Sequence, residues 1–186
     1  MSQSHSASGP VTMKQHDFLV MMRRLARQSE SRREAGAFLL GPTGGRGSRR
    51  NEVNAVEYYV DLDPDSLTGG ITFHASGYTR LNQICRERGS RAVADIHLHP
   101  GRGARQSPTD AAHPMVARPG HVALIAPNYG FGVTSANQLG VNIKTATGWH
   151  SCSDDEIESV FHVRTTVRGT LMRVWANLRT HGRGVA

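Results

Sequence analysis

Cysteine and lysine are nearly missing from this sequence. Its 186 residues hold two of each: Cys85 and Cys152, Lys14 and Lys144. Two thiols close at most one disulfide, which excludes a disulfide-stapled secreted scaffold. A zinc site built from four cysteines is excluded on number alone. Aromatic residues are 6% of the chain and do not interleave with the basic ones, so the stacking platform that single-stranded nucleic acid needs is not visible. No apolar run approaches the roughly 20 residues of a membrane span. The opening MSQSHSASGPVT lacks a charged region followed by an apolar one, so it does not read as a secretory signal. The expectation is a cytoplasmic protein with no membrane partner.

The basic charge that is present comes almost entirely from arginine, twenty residues of the 22 that give a net charge of +7. They are scattered, with short pairs at Arg23-Arg24, Arg32-Arg33 and Arg49-Arg50. A positive field attracts nucleic acid or an acidic protein, but scatter without aromatics argues against nucleic acid as the main partner. With 38% hydrophobic and 20% charged residues the chain is neither disordered nor fibrous, and its length suits one domain with a real core.

Residues 1–12, rich in Ser and Gly, read as a disordered tail, and 13–186 as one domain. Phe18, Met21, Met22 and Leu25 fall at helical spacing. Glu34-AGAFLL-Gly41 reads as a buried strand, 52–62 as a second, and 70–74 as the start of a third. Ser76 suits a helix cap and Gly89 a helix stop. Residues 91–99 and 121–126 are strand-like, and 131–150 holds one or two more strands. Ser153-Asp-Asp-Glu156 matches a capping box, followed by the apolar residues Ile157, Val160 and Phe161 of the helix it opens, and Leu171, Val174, Trp175 and Leu178 suggest a C-terminal helix over 170–180. Strands and helices alternate without regular βαβ spacing, so the fold class is α+β, a mixed sandwich rather than a doubly wound sheet.

Chemistry concentrates in Asp95-Ile-His97-Leu-His99-Pro100-GRGARQ-Ser107-Pro-Thr-Asp110. Alternate side chains of a strand share a face, which puts His97 and His99 together and turns Ile96 and Leu98 the other way. Two imidazoles at i and i+2 can converge on one zinc, and Asp110 completes a three-ligand set if the glycine-rich loop folds back. Three ligands leave a fourth position open, the pattern of a catalytic rather than a structural site. Ser107-Pro-Thr-Asp110 alone also fits a helix start, with Ser107 as cap and Pro108 at the first helical position. The conjunction of His-x-His-Pro with Ser-x-x-Asp at this spacing has a chance rate on the order of 10⁻⁴ per chain, which favours the metal. His113 could orient a ligand. His74, His121, His150 and His162 read as core or surface residues, and neither cysteine has an evident base.

His97-Leu-His99-Pro100, six residues, Ser107, two residues, Asp110 resembles the JAMM motif of the JAB/MPN metalloproteases. Glu34 before AGAFLLG resembles the family's upstream glutamate. The family usually has Ser or Thr between the histidines, where this chain has Leu98. The resemblance spans roughly residues 17–150. It implies a JAB/MPN-like (cytidine deaminase-like) mixed sheet sandwiched by helices, with 170–180 as a helical extension. It implies a zinc peptidase or isopeptidase that frees a ubiquitin-like protein from its conjugates or precursor. Zn²⁺ would be held by His97, His99 and Asp110, with Glu34 as general base and acid and Ser107 as oxyanion donor. GRGARQ and HVALIAPNYG most resemble bacterial members, some of which sit in anti-phage operons beside E1-like and E2-like proteins. The alternative is a non-catalytic MPN scaffold that binds a protein or nucleic acid through its basic surface.

Overall fold

Phe18, Met21, Met22 and Leu25 are all buried on one face of the first helix, α1 (Gln15–Ser29), as their spacing predicts. Left-handed Glu30 and Ser31 end it. The structure, a computed structural model, describes residues 9–44, 50–67 and 70–165. The helix expected over 170–180 lies outside the described residues, as do the first eight residues of the expected tail.

Six strands form one mixed sheet. They are β2 (Gly36–Pro42), β3 (Ala55–Tyr58), β4 (Ser90–Leu98), β5 (Val122–Ala126), β6 (Gly140–Lys144) and β7 (Trp149–Ser151), in spatial order β3-β2-β4-β5-β6-β7. Only β4 and β5 run parallel; the other neighbours are antiparallel. Helix α1 covers one face, where Phe18, Met21 and Leu25 meet Ala94, Ile96, Leu98 and Leu124. On the other face, α2 (Tyr59–Leu62) and α3 (Ala75–Glu87) bury Tyr59, Leu62 and Leu81 against Phe38 and Leu40. The α+β sandwich is therefore present, with helices on both sides of a mixed sheet. Among the described residues no helix is long and apolar enough to cross a membrane.

Four local expectations need correction. Val11 and Thr12, read as tail, belong to β1 (Val11–Lys14), which pairs in parallel with β8 (Phe161–Arg164) and buries Val11 and Met13. Phe161, which comes directly after α5 (Asp154–Val160), accordingly starts a strand rather than extending the helix. The strand expected to run to Leu62 turns helical at Tyr59, whose ring is fully buried beside Phe38. Residues 70–74 make only an isolated bridge at Ile71. The Asp63 carboxylate takes both the backbone N–H and the ring Nδ1 of His74 there, at 2.7 and 2.8 Å. That fixes His74 as the N-cap of α3, with Ser76 inside its first turn.

A β-bulge sets which way the side chains of β4 face. Leu39 pairs with Ala94 and Leu40 with Ala92, so β4 carries Val93 as an extra residue. Val93 and Ala94 both join the core on the α1 side, while Asp95 and His97 point to the opposite face.

Candidate metal centre

β2 and β4 pair so that Gly36 faces His97, and the Leu98 N–H donates to the Ala35 carbonyl at 2.9 Å. Glu34, one residue further along the same extended segment, therefore lies beside the end of β4 where the two histidines emerge. The strands are held tightly. A Cβ on Gly36 would come within 2.3 Å of the Tyr59 ring and 2.7 Å of the Ile96 carbonyl, so only glycine fits. Leu98, between the histidines, is wholly buried in the α1-side core, as its alternate position requires.

The loop after His99 folds back over the sheet: a Cβ on Gly140 of β6 would overlap the Ala104 carbonyl oxygen. It delivers Ser107 and α4 (Pro108–Ala112) to the histidines. Ser107 caps α4 in a full capping box. Its Oγ accepts from the Asp110 N–H at 3.1 Å, and its N–H donates to Asp110 Oδ2 at 2.9 Å. The helix-start and ligand readings of this segment are thus both correct, because the cap fixes the Asp110 rotamer. The Trp149 indole donates to the Ala111 carbonyl at 3.1 Å, tying α4 to β7.

Three donor atoms meet at this point. His97 Nε2 lies 3.0 Å from His99 Nε2; Asp110 Oδ2 lies 3.2 Å from His99 Nε2 and 3.5 Å from His97 Nε2. Ligands about 2.0–2.2 Å from a tetrahedral zinc are separated from one another by about 3.3 Å. The triangle therefore has the size of one face of a zinc tetrahedron, and two nitrogens with one carboxylate oxygen are a donor set zinc accepts. The residues fit the ion.

The surroundings are poised for it. His97 is 7% exposed. Burial works against its charged form, but the Asp110 bond and the charges of Asp95, Asp110 and Glu34 prevail and raise its pKa. Burial also works against the Asp110 carboxylate, yet hydrogen bonds from His97, His99 and Ser107 hold it well below the usual range. Burial lifts Glu34 above an ordinary glutamate, the nearby histidines pull it down, and Asp110 adds to the rise. All four residues, with Ser107, border or sit beside a pocket of about 320 Å³ whose far wall includes Ile71, Met115 and Trp149.

No family model matches the chain. Among solved structures it is similar to protein DSY2949 from Desulfitobacterium hafniense, with a TM-score of 0.57 and 18% identity over 85% of this chain and 95% of that one. It is also similar to a protein from Salinibacter ruber (TM-score 0.49, 18% identity, 83% and 99% covered). A third match is AF2198, a JAB1/MPN domain protein from Archaeoglobus fulgidus (TM-score 0.42, 11% identity, 84% and 98% covered). The likeness to the Desulfitobacterium protein is one of fold.

Asp95 is a buried residue of this site that the sequence pattern did not single out. It is 3% exposed at the base of the pocket, where it accepts from buried His121 Nε2 at 2.6 Å and from the Tyr59 hydroxyl at 3.4 Å. An aspartate inside the apolar run Ala92-Val-Ala-Asp95-Ile was the available signal. His121 is the core residue it was expected to be. His113 lines the same pocket but among the described residues makes no hydrogen bond to His97, His99 or Asp110; its ring Nδ1 lies 3.3 Å from the Thr109 carbonyl. A second group that could hold a metal, His150, Cys152 and Glu156, was also missed. There His150 Nε2 contacts both Glu156 oxygens, at 3.1 and 3.2 Å, and burial with the Glu156 charge pushes the Cys152 thiol up to about 11.

Proposed function

We propose that this chain is a zinc-dependent peptidase or isopeptidase that removes a ubiquitin-like protein from its conjugates or precursor. The observation that carries this reading is the His97–His99–Asp110 triangle of zinc-binding size with the half-buried carboxyl of Glu34 beside it. The sequence motif supplies the substrate class, and with it E1-like and E2-like proteins as neighbours in the same process.

Zinc held by these three residues would act as a Lewis acid on a scissile carbonyl and make an adjacent water more acidic. Glu34 accepts the proton of the attacking water and hands it to the leaving amine. A carboxyl lifted toward neutrality by burial suits both halves of that exchange. Asp95 and His121 hold β4 and β5 together under the site. A pocket of about 320 Å³ is at the lower limit for ligand sites, which suits a slender extended tail of small residues rather than a folded domain. Such a tail can add to the site as an extra strand.

Ser107 has one hydroxyl proton, and in this structure it goes to Asp110 Oδ2 at 2.7 Å. During turnover the hydroxyl swings to donate to the developing oxyanion. Ser107→Ala should lower kcat by about 10²–10³ and cost about 1 kcal/mol of stability through the lost cap. Steady-state kinetics beside thermal melts separates the two effects. A loss of stability with kcat unchanged would reduce Ser107 to a cap.

The function is tested by measuring zinc in the purified protein and its cleavage of a ubiquitin-like protein fused through its C-terminal tail to a reporter. About one zinc per chain is expected, with cleavage abolished by a chelator and restored by zinc. A folded protein that takes up no zinc and cuts nothing would end the proposal.

A further inference from the structure

A second, larger cleft of about 820 Å³ opens away from the metal centre. Its lining includes Arg91 and Val93 of β4, six and four residues before His97, so about 13–20 Å along the strand. Val93 and Val122 belong to the core on the α1 side, whereas Ala123 faces the metal pocket. The cleft therefore lies on the opposite face of the sheet as well as at its opposite end.

Arg50, Arg91, Arg118 and Lys144 converge on it. Among the described residues none of the four forms an ion pair with a carboxylate, although Arg24, Arg32, Arg33, Arg88 and Arg164 all do. Their hydrogen bonds go to neutral acceptors instead. Arg91 donates to Asn51 Oδ1 at 2.7 Å, Arg118 to the Ala92 carbonyl at 3.2 Å, and Lys144 to the Gly148 carbonyl at 3.0 Å. The one acidic residue of the lining, Glu156, is engaged by His150 and by the Ser153 N–H and hydroxyl. Residues 1–8, 45–49, 68–69 and 166–186 contain no Asp or Glu, so none of their side chains adds a carboxylate to the cleft. Burial depresses the Arg91 guanidinium, and the nearby charges of Arg118 and Arg50 add to it.

We propose that this cleft binds an organic polyphosphate of nucleotide size. Its phosphates would lie on Arg50, Arg91 and Arg118, and its ring system on the accessible apolar side chains of Pro119, Ile143 and Val160. Guanidinium forks match phosphate oxygens in pairs, and the volume falls within the range of small-molecule sites. A concave cleft with an apolar wall fits a free nucleotide better than a nucleic-acid backbone, which would track an open basic stripe.

The test is calorimetric titration of the full-length zinc-loaded protein with ATP, pyrophosphate, adenosine, a short single-stranded oligonucleotide and a Glu-rich peptide at about 0.15 M salt. ATP should bind most tightly, pyrophosphate more weakly, and adenosine not measurably. Arg118→Gln should weaken ATP by about tenfold or more while the ligand-free melting temperature holds or rises, because a like charge has been removed. Arg91→Gln should weaken ATP similarly. Equal ATP binding by wild type and both variants would overturn the site. So would binding that vanishes in His97→Ala but survives Arg118→Gln, which would put the phosphate on the metal. Tighter binding of the oligonucleotide or the peptide would overturn the nucleotide assignment in favour of a macromolecular surface.

Discussion

Glu34→Gln should cut the turnover of a zinc-loaded enzyme by about 10²–10⁴, the usual contribution of a positioned general base and acid. Zinc content and melting temperature should stay at wild-type levels. The substitution keeps the shape of the side chain and removes only its capacity to take a proton. The Glu34 side chain makes no hydrogen bond or ion pair among the described residues, so the isosteric amide breaks none. Burial raises its pKa above the ordinary 4.5, so folding favours the protonated form. Stability from that preference is fully present at low pH and is lost as pH rises through the raised value. A neutral glutamine avoids that loss, and the variant should be no less stable than wild type at neutral pH. Cleavage by the variant at the wild-type rate would move the base elsewhere. Loss of zinc would make Glu34 a ligand instead.

How much is legible in the sequence depends on the range of the interactions. The α1 stripe, the strand alternation that separates His97 and His99 from Leu98, and the Ser107 and Ser153 capping boxes all depend on neighbours within a few residues. Each is found as expected. The approach of Asp110 could be named only through the motif spacing, because it depends on the loop lying across Gly140 of β6. The Asp95–His121 pair joins two strands that are neighbours only through a parallel crossover, and nothing local announces it. The pairing of β1 with β8 has the same origin: its two strands come from opposite ends of the described chain, and each alone is four residues long. The basic cleft was invisible for a related reason. Its arginines look scattered in sequence, and the Val93 bulge helps turn the start of β4 toward the α1 side.

His97→Ala should bring zinc from about one per chain to near none and take activity with it. It removes one corner of a triangle whose sides are 3.0–3.5 Å, leaving His99 and Asp110 as a two-ligand site. The loss can be read without any substrate. A ligand present at about 1,000 times its Kd stabilises the folded state by about 4 kcal/mol, so excess zinc should raise the wild-type melting temperature and leave that of the variant unmoved. Comparing each protein with its own metal-free form cancels the packing cost of truncating a buried imidazole on a central strand. Acid should act in the same direction as the mutation, because a raised His97 must shed its proton before it can ligate. The His150–Cys152–Glu156 group provides the internal control. Its Cys152 thiol, pushed up to about 11, has to be deprotonated to bind, whereas a neutral imidazole is ready. Cys152→Ser should therefore leave the zinc stoichiometry near one. Retention of zinc by His97→Ala together with its loss in Cys152→Ser would transfer the metal site to β7 and α5, and Glu34 would then have no metal beside it to serve.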